Sequence, residues 1–177
     1  MMNKKIEEAI NNQINAELYS AYLYLSMSSY FQAEGLKGFA HWMELQVAEE
    51  FGHARKFSKY LFERGGKALM KSIEAPPTEW KSAEHVFEET YKHEQKVTGL
   101  INDLVNLAIA EKDHATSNML QWYVAEQVEE ESSALEIVDE LKLVAGDGNG
   151  MLMLDRELAR RSLNMQLFAG LTGPANT

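Results

Sequence analysis

The chain has 177 residues, 45% of them hydrophobic, and a formal net charge of −10, which leads us to expect one compact domain over 1–177. It has no cysteine, so disulfides, thiolate zinc sites and iron–sulfur clusters are excluded together. No Lys/Arg cluster of the kind that neutralises phosphates is present, so cations are expected as partners rather than nucleic acid.

The first predicted helix runs from Ile6 through Ile14, Leu18, Ala21 and Leu25 to near Ala33, its apolar residues three and four apart, with Gly35 as a stop. A second covers Leu36 to Arg64 and ends at Gly65 and Gly66. The stretch "GGKALMKSIEAPPTEWK" that follows has no helical period and contains the Pro76–Pro77 pair. A third helix begins near Ser82 and reaches about Lys112, and a fourth runs from about His114 to Ala145. Each spans about 28 to 31 residues, some 42 to 47 Å, so the four can lie side by side. Helices one and two, and three and four, are joined by a few residues and should form antiparallel hairpins, whereas the stretch between the pairs is long enough to travel the length of a bundle. Gly146, Gly148 and Gly150 then mark a hinge. "MLMLDRELARRSLNMQLF" predicts a short fifth helix over about 151–168, with Leu154, Leu158, Arg161, Met165 and Phe168 along one side. The expected fold is all-α: a four-helix bundle over about 4–145 with one long crossover and a short C-terminal helix. "MMNKKIEEAINNQ" lacks the apolar core of a signal peptide, and no apolar run could span a bilayer, so a cytoplasmic location without membrane contact is expected.

Acidic residues fall on the inner stripes of these helices. Glu17 lies beside Ile14, Leu18 and Ala21, with Tyr24 seven residues on; Glu50 and His53 share the inward face of the second helix. Glu94 is flanked at helical spacing by Phe87, Tyr91, Val97 and Ile101, and Gln127 and Glu130 share a face with Tyr123, Ala134, Ile137 and Leu141. A single glutamate near an apolar stripe ordinarily sits at a helix edge with its head in water. Four at matching heights are harder to solvate, and burying four carboxylates without cations would cost several kcal/mol each, too much for a domain stable by about 5 to 15 kcal/mol.

A metal pair offsets that cost. Glu17, Glu50, Glu94 and Glu130 sum to −4 while His53 and Gln127 can stay neutral, so two divalent cations, or two ferric ions and one oxide, bring the site to zero. Oxygen-rich ligation with one imidazole suits iron or manganese. A pair about 3.5 to 4 Å apart, shared by a carboxylate such as Glu50, would be placed to attack dioxygen together. Glu49, Glu126 and Glu129 lie next to this set in the sequence and form either a third, weaker site or a solvated acidic face.

The segments "NQINAELYSAYLYLSM", "EEFGHA" and "QWYVAEQVEEE" carry a resemblance: from about Lys4 to Phe168 the chain resembles the bacterial and archaeal non-haem ferritins. The resemblance implies a first ferroxidase iron at Glu17, Glu50 and His53, and a second at Glu50, Glu94 and Glu130 with Gln127 beside it. It places a third iron at Glu49, Glu126, Glu129 and Glu130, with Tyr24 as the tyrosine near the pair. It also implies oxidation of ferrous iron by dioxygen or peroxide, and storage of ferric mineral in a hollow homo-oligomeric shell of 24 subunits. Haem is not expected, because position 52, where the haem-binding methionine of bacterioferritin-like chains would fall, is Gly52, and the second Glu-x-x-His of those chains is here Gln127-x-x-Glu130. The alternative on the same bundle is a diiron oxygenase or peroxidase, which would require an organic co-substrate cavity.

Overall fold

Three helices begin at polar caps. In the computed structural model, which describes residues 2–163, Asn3 Oδ1 accepts from the Lys5 N–H at 2.9 Å ahead of α1 (Lys4–Ala33). Ser82 Oγ accepts from the His85 N–H at 3.1 Å ahead of α3 (Ala83–Ala110), and Asp113 Oδ1 from the Thr116 N–H at 3.1 Å ahead of α4 (His114–Leu143). Each satisfies an N–H that the first turn leaves unpaired. α2 (Lys37–Glu63) starts from Leu36 without a side-chain cap, so its position is set by packing against α1. It ends where Gly65 takes φ +74° and the Gly66 N–H reaches back to the Leu61 carbonyl at 2.8 Å, a left-handed stop that favours glycine. A fifth helix, α5 (Gly148–Leu158), is the last among the described residues, and no strand occurs among them.

The described helices belong to two compact units, residues 2–78 with residues 158–163, and Glu79–Glu157. In the first, α1 and α2 pack as a hairpin whose buried residues include Ile6, Ile10, Ile14, Met27, Phe31, Phe39, Met43, Phe57 and Leu61. Phe31 and Phe39 stack across the turn with ring centroids 5.2 Å apart. In the second, α3 and α4 form the other hairpin, with Val86, Phe87, Val97, Ile101, Leu104, Leu120, Tyr123, Ala134, Ile137 and Leu141 buried. Its turn is so short that Lys112 takes φ 55°, a conformation that costs a non-glycine residue about 1 kcal/mol.

The crossover after α2 lacks regular structure, yet α1 pins it at successive points. The Lys67 N–H donates to Glu7 Oε1 at 2.9 Å, the Leu69 N–H to Asn11 Oδ1 at 2.6 Å, Asn15 Nδ2 to the Ser72 carbonyl at 3.1 Å and Ser26 Oγ to the Pro77 carbonyl at 2.5 Å. These anchors ascend α1 in step with the loop, so the segment runs along the helix from its first turns toward its last. Asn11 matters most, because it is buried and also donates to the Lys67 carbonyl at 2.9 Å. Asn11→Ala should lower stability by about 1 to 3 kcal/mol, the cost of stranding buried backbone groups. Urea unfolding checks this, with Asn15→Ala, at an exposed bond, as the milder comparison.

α5 departs from the expected bounds of about 151–168. It begins at Gly148, because the Asp147 carboxylate accepts from the Asn149 N–H at 3.0 Å and the Asp147 carbonyl from the Met151 N–H at 3.0 Å, and it ends at Leu158. Two of the three expected hinge glycines therefore lie inside the helix. A Cβ on Gly150 would stand 2.9 Å from the Val144 side chain, so only glycine lets α5 approach the end of α4 there. Leu154 and Leu158 are buried and Met153 exposed, whereas Met165 and Phe168 lie outside the described residues. No helix among the described residues is long and apolar enough to cross a membrane.

Candidate metal centre

Glu17 on α1 and Glu50 and His53 on α2 converge within the first hairpin. One ligand atom from each lies within 4.8 Å of the others, and all three residues are buried. Their neighbours in sequence explain the placement. Ile14 and Ala21 flank Glu17 one turn away on either side, and Met43 and Phe57 stand seven residues to either side of Glu50, so the apolar stripes that bury the hairpin carry the polar groups in with them.

The cluster is only partly satisfied. Gln13 Nε2 donates to Glu17 Oε1 at 3.0 Å, and His53 Nδ1 faces Glu50 Oε2 at 3.4 Å. Glu17 Oε2 is buried with no hydrogen-bond partner among the described residues. Burial, and after it the negative charge of Glu50, pushes the Glu17 carboxyl up to about 8; His53 and the Gln13 hydrogen bond act the other way. A 1%-exposed carboxylate with an oxygen left over has the chemistry of a hard-cation ligand, and an imidazole beside two carboxylates suits iron. Tyr24, fully buried, lies two turns along α1 from Glu17.

The second hairpin holds its own buried polar group. Gln127 Nε2 donates to Glu94 Oε2 at 3.1 Å and lies 3.3 Å from both the Glu94 carbonyl and Thr98 Oγ1. Thr98 Oγ1 in turn donates to Glu131 Oε1 at 2.5 Å. Glu94, Gln127 and Glu130 are buried, as their inner positions predict. A groove of about 330 Å³ opens beside them between α3 and α4, lined by Ile101, Asn102, Val124, Gln127 and Val128.

The outer acids are less uniform. Glu49 is buried, Glu126 half-buried, Glu129 exposed and Glu130 buried. Glu49 already has a cationic partner, the Arg161 guanidinium, whose Nη2 stands 2.7 Å from Glu49 Oε2. Sequence reasoning passed over that pair, which lies 112 positions apart, and it also passed over Gln13, although a Gln four residues before a Glu on one helix face is a recognisable hydrogen-bonding spacing.

Known proteins share the sequence and fold of this chain. Residues 7–144 match the family model for the ferritin-like domain. The chain belongs to the ferritin family. It is 48% identical over 161 residues to a bacterial non-heme ferritin of Bacteroides fragilis, covering 91% of this chain and all of that one. It is 40% identical to that of Campylobacter jejuni, over 93% and 98% of the two chains. An open pore ferritin from the hyperthermophilic archaeon Archaeoglobus fulgidus superposes with a TM-score of 0.90 at 54% identity, over 92% of this chain and all of that one. The fold class is thus the all-α four-helix bundle of the ferritins, and the protein is an iron-storage protein.

Proposed function

We propose that this ferritin oxidises ferrous iron at buried ligands within each chain, as bacterial non-haem ferritins do, and retains the ferric product as mineral. The observation that carries the reading is the Glu17, Glu50 and His53 cluster, whose three ligand atoms lie within 4.8 Å and whose Glu17 keeps one oxygen unbonded. Iron is the substrate here, and the chain's part is to desolvate it and hold it. On this reading Glu17, Glu50 and His53 take one ferrous ion, while Glu50, Glu94 and Glu130 with Gln127 beside them serve a second, Gln127 fixing the Glu94 carboxylate through its 3.1 Å bond. Glu49, Glu126, Glu129 and Glu130 form the weaker third site, and Tyr24 is the tyrosine near the pair.

In the reaction each of two ferrous ions gives up one electron, and dioxygen accepts both with two protons and leaves as hydrogen peroxide. The Glu17 proton is available locally, because a carboxyl that titrates near 8 must release it when a cation binds at neutral pH. Assembly into a shell of 24 copies and a cytoplasmic setting complete the proposal. Large apolar side chains left exposed on the helices, including Ile109, Val128, Leu143 and Met153, support burial against other copies.

Anaerobic titration with ferrous ion should give two tight equivalents per chain and a third, weaker one, followed on admission of air by ferric absorbance in the ultraviolet. Isothermal calorimetry counts the equivalents. Fewer than two tight ions per chain would refute the ligand assignment, and particle sizing after oxidation tests mineral retention.

A further inference from the structure

Arg161, just beyond α5, is bound to one face of α2 by its whole side chain and by its backbone. Nη2 lies 2.7 Å from Glu49 Oε2, Nη1 donates to Gln46 Oε1 at 2.5 Å and approaches the Trp42 carbonyl at 3.5 Å. The guanidinium carbon sits 4.6 Å from the centroid of the Trp42 ring, and the Arg161 carbonyl lies 2.9 Å from His41 Nε2. Trp42, Gln46 and Glu49 follow one another at helical spacing, and the next step of the series is His53. The guanidinium therefore lies one turn from the Glu17, Glu50 and His53 cluster, on the one outer acid that is both buried and on α2.

From this geometry we infer that Arg161 is a resident cation at the outer iron site, one that iron must displace from Glu49 to bind there. The inference rests on Glu49 being an outer-site ligand. Arginine stays protonated at all relevant pH, and a buried carboxylate bound to it is already neutralised. A metal ion bonded to the same oxygen at about 2.1 Å would stand within about 5 Å of the guanidinium, where two positive charges repel in a poorly solvated setting. The two cations exclude one another at Glu49 Oε2. Arg161 thus sets how weakly the third ion binds and keeps that ion exchangeable. By reciprocity, loading the outer site moves the Arg161 guanidinium off Glu49 and the Trp42 ring, which makes this contact responsive to iron.

Zinc tests this without redox chemistry. Arg161→Met leaves an unbranched apolar side chain at this position and removes the charge, and it should tighten the weak class of zinc sites by about tenfold or more, the factor expected for losing a charged hydrogen bond as competitor. Arg161→Lys should stay close to the parent protein, and the tight class should not move in either variant. Glu49→Gln should remove the weak class from both the parent and the Arg161→Met protein. An unchanged weak class in Arg161→Met, with Glu49→Gln still abolishing it, overturns the inference alone. A weak class that survives Glu49→Gln overturns the outer-site assignment and the inference with it. A second readout needs no change at position 161: in a chain with Trp80 and Trp122 replaced by Phe, zinc beyond two equivalents should shift Trp42 emission as the guanidinium leaves the ring. An emission spectrum that does not respond while the weak class fills also overturns it.

Discussion

Replacing Glu50 by Ala should slow the initial oxidation of ferrous iron by about 100-fold or more, since altering even an indirect supporting group of a metal site commonly costs 10- to 100-fold. Glu50 is the member of the buried cluster whose charge raises Glu17 and whose carboxylate faces His53 at 3.4 Å. Its removal leaves Glu17 and His53 without a common neighbour. The fold should persist in the metal-free variant, because Glu50 supplies charge to a crowded site rather than packing to the core; Glu50→Gln, which keeps the volume, should be the more stable of the two. Stopped-flow measurement in air decides the matter, and oxidation at the parent rate by a correctly folded Glu50→Ala protein would remove Glu50 from the centre.

The second large effect is on stability and depends on pH. The Glu17 carboxyl is raised from 4.5 to about 8, so between those values the folded chain holds a proton that the unfolded chain has lost. Stability from this group is fully present below about pH 4.5 and is lost as pH rises toward 8, by at most about 1.4 kcal/mol per unit. Above 8 the slope from Glu17 vanishes. Glu7 and Glu89, both lowered by lysine partners, act in the opposite direction in the acid range, and so does His93, which burial and then Lys96 lower from 6.5 to about 4, so that its gain with rising pH is complete above about 6.5. The metal-free protein should therefore lose stability from about pH 6.5 to 8, and Glu17→Gln, which carries no proton to lose, should flatten the curve over that range and be more stable than the parent at pH 8. Divalent cations should reverse the trend, because they bind the deprotonated carboxylate. Urea midpoints across that range, with and without zinc, measure all three; a parent protein that stabilises from about pH 6.5 to 8 without metal would show that Glu17 is not held protonated.

What could be read from the sequence follows from how local each signal is. α1 to α4 were legible because their apolar period is sustained over seven or more turns and their ends carry Asn3, Ser82, Asp113 and Gly65, residues with one mechanical use at such positions. The inward positions of Glu17, Glu50, His53, Glu94, Gln127 and Glu130 followed from the same period, and each is buried. α5 starts earlier than its sequence pattern suggests because "GDGNG" looks like a break, whereas Asp147 uses its side chain and carbonyl to start a helix through the glycines. The helical period puts Arg161 along the apolar side of that helix, but it lies past the helix end and is bound to α2. No local pattern encodes a contact between residues 112 positions apart, and none reveals that Glu17 would be left with an unbonded oxygen.

The strap along α1 has a consequence for how the chain is made. Glu17, Glu50 and His53, and every side chain that pins the crossover, lie within the first 78 residues, the part that leaves the ribosome first. Their contacts close between neighbouring helices and over a loop of modest length, so this half has the short-range topology of fast-folding helical proteins. A nascent chain that has released α1, α2 and the strap already carries two carboxylates and an imidazole together, before Glu94 has been translated. The order of translation therefore presents the α1–α2 group ahead of Glu94, Gln127 and Glu130.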